Sequence, residues 1–137
     1  MKISVDTRIN APIETVWHCW TTPEHIMAWN AASDDWHTTA SEVDLRQGGT
    51  FKSRMEAKDG SFGFDFEGTY TTIDKPHRIE AMLGDRALDV TFREDGDAVE
   101  VTETFDAEDE HSEEMQRAGW QAILDNFKRH VEAEAAK

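Results

Sequence analysis

Few side chains in this sequence are placed to do chemistry. In the stretch VEVTETF, Glu103 shares parity with Val99, Val101 and Phe105, so a strand would put its carboxylate on the apolar face. An unpaired carboxylate there is costly; it has to be paired, protonated or facing a wet space. A register break at the strand end would instead leave it in solvent. Arg54 and Arg93 can partner it only if the strand phase differs from this reading. The second candidate is His37, in WNAASDDWH, where Asp35 has the parity to orient an imidazole acting as general base. The simpler reading keeps His37 on the surface and the paired aspartates in a turn. These are the two weak candidates for catalysis.

The other reactive types resolve into bland roles. Cys19, the single cysteine, sits between Trp17 and Trp20 in an apolar helical stretch, which suits an inert thiol and excludes an internal disulfide. His25 falls in the first turn of a short helix, a place for surface or capping duty. No HxxxH, HExxH or CxxC spacing occurs, so no metal ligand set is expected. RQGGT, Arg46 to Thr50, has a phosphate-loop look but lies between strands with no helix to offer its N-terminus, which favours a turn. No cofactor is implied.

These residues need a scaffold, and its elements alternate clearly. Ile3, Val5, Thr7 and Ile9 alternate with charged and polar neighbours as in a half-buried strand. Two short helices follow. The first carries Pro12 as first residue and Ile13, Val16, Trp17 and Trp20 as its stripe; the second has Thr22 as cap, Pro23 next, then Ile26 and Met27. From Trp36 to Phe105 strand follows strand through turns at KDG, GDR and EDGD. Close spacing with short turns means an antiparallel meander. A helix from about Ser112 to Ala135 ends the chain, with Trp120, Ile123, Leu124, Phe127 and Val131 on its apolar face.

The expectation is therefore one α+β domain, residues 1–137. A curved antiparallel sheet of about six to seven strands wraps a long C-terminal helix, and two short helices follow strand 1. A helix narrower than the sheet that grips it leaves a space, which is the physical case for a cavity.

Seven of the thirteen aromatics lie between Trp29 and Tyr70, more large rings than a sheet and one helix need for filling. Trp29, Trp36, Phe51, Met55, Phe64, Phe66 and Tyr70 are thus candidates for core or for a ligand-binding wall. Val90 and Glu103 face them from the later strands, and Trp120, Ile123 and Phe127 from the last helix. Trp29 and Trp36 would stand at the rim. Gly119 costs the helix roughly 1 kcal/mol relative to alanine, which close packing or a cleared floor beneath a ligand would explain.

A net charge of −15 repels phosphate backbones and anionic lipid, so neither nucleic acid nor membrane is an expected partner. The N-terminus lacks the apolar run of a signal peptide, and a cytoplasmic location is expected.

The element order, with INAPIETVWHCWTTPEHIMAW, DLRQGGTF, FDFEGTYTTI, VTFREDGDAVEVTETF and EMQRAGWQAILDNFKRHVE, resembles the START-like helix-grip superfamily. The branch it is most similar to is the one related to the activator of heat-shock-protein-90 ATPase, grouped with polyketide cyclase-like proteins. The resemblance spans essentially the whole chain and specifies fold more than function. It implies a small, single-domain bacterial binder of an apolar lipid-, polyketide- or flavonoid-like molecule, as a monomer or weak homodimer. It leaves two alternatives: a cyclase or hydrolase using Glu103 or His37, and a chaperone-associated module.

Overall fold

A computed structural model describes all residues, Met1–Lys137. The elements run β1 (Lys2–Ile9), α1 (Ile13–Thr21), α2 (Pro23–Trp29), β2 (Trp36–Val43), β3 (Thr50–Ala57), β4 (Gly63–Asp74), β5 (Arg78–Leu83), β6 (Arg86–Asp95), β7 (Ala98–Asp106) and α3 (Glu113–Ala135). The expected α+β helix-grip architecture is thus present. Pro12 is displaced by one position from the expectation: it caps α1 from outside, and the helix begins at Ile13.

All seven strands form one antiparallel sheet in the order β1-β7-β6-β5-β4-β3-β2. The two short helices carry the chain from one edge strand, β1, to the other, β2. Register shifts between Thr38 and Ala40 and between Tyr70 and Thr72 bend β2 and β4. Gly68 allows the same bend from within: a Cβ there would lie 2.8 Å from the Phe51 ring and 2.7 Å from the Met82 carbonyl. The sheet therefore curls, and α3 lies against its concave side.

The start of α3 is set locally. The Ser112 Oγ accepts from the Met115 amide at 3.1 Å, and Glu113 and Glu114 stand in the positive first turn. Its inward face is uneven. Leu124, Phe127 and Val131 are fully buried, whereas Trp120 and Ile123, nearer the start, are half-buried. Below the buried part, Trp20 stacks on Trp29 with ring centroids 5.1 Å apart, and Phe127 meets both edge-on at 4.9 and 4.8 Å. No helix is long and apolar enough to cross a membrane.

Candidate functional site

Beneath the N-terminal half of α3 the sheet and helix separate around a cavity of about 410 Å³, lined mostly by apolar side chains. Phe51, Met55, Phe64, Phe66 and Tyr70 wall it from β3 and β4. Ile79, Ala81, Leu88 and Val90 form its floor on β5 and β6, and Gly119, Trp120 and Ile123 its roof on α3. Trp120 spans the space. Its ring lies flat on Phe105 at 3.9 Å and reaches Phe66 edge-on at 6.0 Å. Gly119 is not a close-packing device: a Cβ there would meet nothing within 4 Å. Helix propensity is given up at this position where the helix borders open space.

Glu103 stands in this floor. Cross-strand pairing aligns Val5, Glu103, Val90 and Ile79 in one row across the sheet, so the carboxylate occupies an apolar position. The residue is 5% exposed, and its side chain makes neither a hydrogen bond nor an ion pair. Burial pushes its carboxyl up to about 8, so it is mostly protonated at neutral pH. No register break frees it. Arg54 is engaged with Glu56 and Asp65 on the outer face, and Arg93 stands opposite Glu100 in the strand register, one residue out of phase with the inward row. Tyr70 is another polar group of the wall. Burial first, and Asp44 next, push its phenol up to about 12, and its hydroxyl also makes no hydrogen bond.

The mouth is polar, with Arg86, Glu108 and His111 on its edge. Gln116, though buried, is satisfied: its amide nitrogen donates to the carbonyls of Glu108 and His111, and its oxygen accepts from the Glu108 amide. It ties the connection before α3 to the helix and holds the mouth in place.

Other expected residues fall elsewhere. Trp29 lines the cavity but is 6% exposed, its indole N–H donating to the Cys19 carbonyl at 2.9 Å; it belongs to the inner wall and not the rim. Trp36 does not line the cavity. It stands behind Phe64, with Phe62 and Phe64 at 6.0 and 5.9 Å, in an exposed aromatic group. Phe127 is wholly buried and does not border the space. Asp35 accepts from Ser33, and no contact joins it to His37, which is exposed beside a separate polar depression. Asp35 belongs to the turn before β2, so the strand parity that would align it with His37 does not extend to it. RQGGT is a turn, as expected: the Gly48 amide donates to the Tyr70 carbonyl and that of Gly49 to Arg46, leaving neither free for phosphate.

Sequence reasoning missed Trp20, Asn30, Ser53 and Gln116 in the lining. Trp20 was legible only as helix stripe, and the curl that brings it to the cavity comes from pairing between distant strands. His25 was assigned to surface or capping duty. It is half-buried instead, with its Nδ1 2.8 Å from the Nε2 of His130 on α3.

A curled antiparallel sheet gripping a C-terminal helix over a lined cavity defines a START-like module. The sequence matches, over residues 10–132, the family described as Activator of Hsp90 ATPase homolog 1-like protein, and the chain belongs to that family. The solution structure of the AHSA1-like protein from Aeromonas hydrophila is 52% identical, with a TM-score of 0.92 over 100% of this chain and 96% of that one. A protein from Cytophaga hutchinsonii is 44% identical, with a TM-score of 0.83 over 97% and 93%. One from Chromobacterium violaceum shares the fold at 22% identity, with a TM-score of 0.87 over 96% and 98%. No curated protein matches the sequence.

Proposed function

We propose that this protein binds a small, largely apolar molecule of lipid, polyketide or flavonoid type in the cavity between sheet and α3. One observation carries the reading: a buried carboxyl with no protein partner stands in the floor of an apolar space of about 410 Å³. That volume falls in the range of small-molecule sites, which combine apolar walls with a few polar anchors. A neutral Glu103 both donates and accepts, so the ligand matches it with a carbonyl or hydroxyl at its inner end. An anionic group at that depth would face an apolar wall and no cation.

Native mass spectrometry of the freshly purified protein, followed by titration with a lipid, flavonoid and polyketide library, tests this. A retained mass, or micromolar binding that shifts the amide resonances of Trp29, Phe66 and Trp120, is the expected result. Glu103→Leu should weaken that binding about tenfold, the worth of one hydrogen bond. No bound mass together with no shifts across the library sinks the reading.

The same carboxyl favours a second reading, acid–base catalysis on the bound molecule, because a group titrating near 8 can hold or release a proton at working pH. Glu103→Gln then abolishes product formation while ligand still binds. Full turnover by that variant removes Glu103 from the role.

A further inference from the structure

Away from the cavity, three helices bring one soft and two borderline ligand atoms together. Cys19 on α1, His25 on α2 and His130 on α3 present Sγ, Nδ1 and Nε2, all within 4.8 Å of one another. The sulfur is 3.9 Å from the His25 Nδ1, which is 2.8 Å from the His130 Nε2. We propose that Cys19, His25 and His130 form a binding site for a borderline divalent cation, Zn²⁺ foremost.

A tetrahedral zinc, with bonds of about 2.0 Å to nitrogen and 2.3 Å to sulfur, sets its nitrogens about 3.3 Å apart and sulfur about 3.5 Å from each. The imidazole nitrogens have to part by about half an ångström, and the sulfur has to close in on both of them. Thiolate with two imidazoles is a donor set suited to zinc and unsuited to magnesium or calcium.

The surroundings fit the same ion. His130 is half-buried, and its Nε2 faces the Nδ1 of His25. Cys19 is a buried free thiol, so the ion has to displace its proton. Glu134 lies one turn beyond His130, and its negative charge acts on Cys19, His25 and His130. Its carboxylate is paired with Lys137 at 3.0 Å and lies outside the three-atom cluster, so water fills the fourth position. His130 also borders the polar depression that Asn126 and Arg129 line, which gives the ion a route in. Local spacing could not reveal the set, since the third ligand follows the second by more than a hundred residues.

The test uses tag-free, metal-stripped full-length protein titrated with Co²⁺ and then with Zn²⁺. One equivalent of Co²⁺ should produce a thiolate-to-cobalt charge-transfer band and strong tetrahedral d–d bands. Zn²⁺ should abolish both, raise the thermal midpoint and release about one proton from the thiol. Cys19→Ser should lose the charge-transfer band. His25→Gln and His130→Gln should each weaken Zn²⁺ binding by at least about tenfold, with circular dichroism showing which variants stay folded. A missing thiolate band overturns the site. So does a band intact in Cys19→Ser, or wild-type Zn²⁺ affinity in both folded histidine variants. Because Zn²⁺ and apolar ligands are titrated separately, failure here leaves the cavity reading standing, and the reverse holds.

Discussion

The two ends of α3 cover the same sheet in different ways. Toward its C-terminus, Leu124, Phe127 and Val131 are fully buried, and Phe127 meets the rings of Trp20 and Trp29 edge-on. Toward its N-terminus, Gly119, Trp120 and Ile123 face Phe51, Phe66 and Glu103 across a hollow. The filled end has the close packing that gives each ring partners on every side. The hollow end forgoes those contacts and retains an unpartnered carboxyl. The difference teaches that one helix divides the work, anchoring the fold with one half and roofing a cavity with the other.

The sharpest way to break that comparison is to truncate the same residue type at each end. Phe127→Ala should cost about 4 kcal/mol, as expected for a fully buried ring whose neighbours cannot close the gap. Phe66→Ala, from a half-buried ring already bordering open space, should cost less than half as much. Urea denaturation of both variants without added ligand measures the difference. Equal losses would mean that the hollow end is packed like the other.

Titration of Glu103 gives a somewhat smaller effect. Its carboxyl is raised from 4.5 to about 8 on folding, so the unfolded chain loses this proton first as pH rises. Folding suffers no penalty from Glu103 below about 4.5. The penalty grows between 4.5 and 8 and is complete above that. Water reaching the carboxyl through the cavity tempers the cost to roughly 3 kcal/mol. Glu103→Gln should flatten this part of the stability–pH profile and be more stable than wild type at pH 9, by roughly that amount. An unchanged slope would place the carboxyl in bulk water.

How far the sequence discloses this division follows from the range of each signal. Strand alternation and helix stripes are local, so β1 to β7 and α3 were legible, and so was the inward parity of Glu103. Filled and hollow space are not local. Trp120 and Phe127 read alike as members of one stripe, yet only Trp120 lines the cavity. Phe64 and Phe66 shared a phase, but Phe64 is 41% exposed where the strand runs past the edge of the cover. Trp29 and Trp36 looked like a pair at the rim. The turn between them separates a buried wall residue from an outlying ring. Pairing across the sheet, with its two register shifts, decides these differences, and periodicity carries no record of it.

Gly119 offers the gentlest probe of the comparison, because it is the place on α3 where the sequence marks the hollow end. A glycine inside a 23-residue helix weakens it by roughly 1 kcal/mol relative to alanine, and elsewhere on the inner face a close contact would explain the choice. Here a Cβ would meet nothing within 4 Å. Gly119→Ala should therefore stabilise the free protein by about 1 kcal/mol, raising the thermal midpoint by about 3 °C for a chain of this size. The new methyl would border the cavity, so the gain in stability should come with equal or weaker binding of any ligand that reaches the roof. A lower midpoint would show that the sheet meets α3 at this point, and the hollow would then have to end before Gly119.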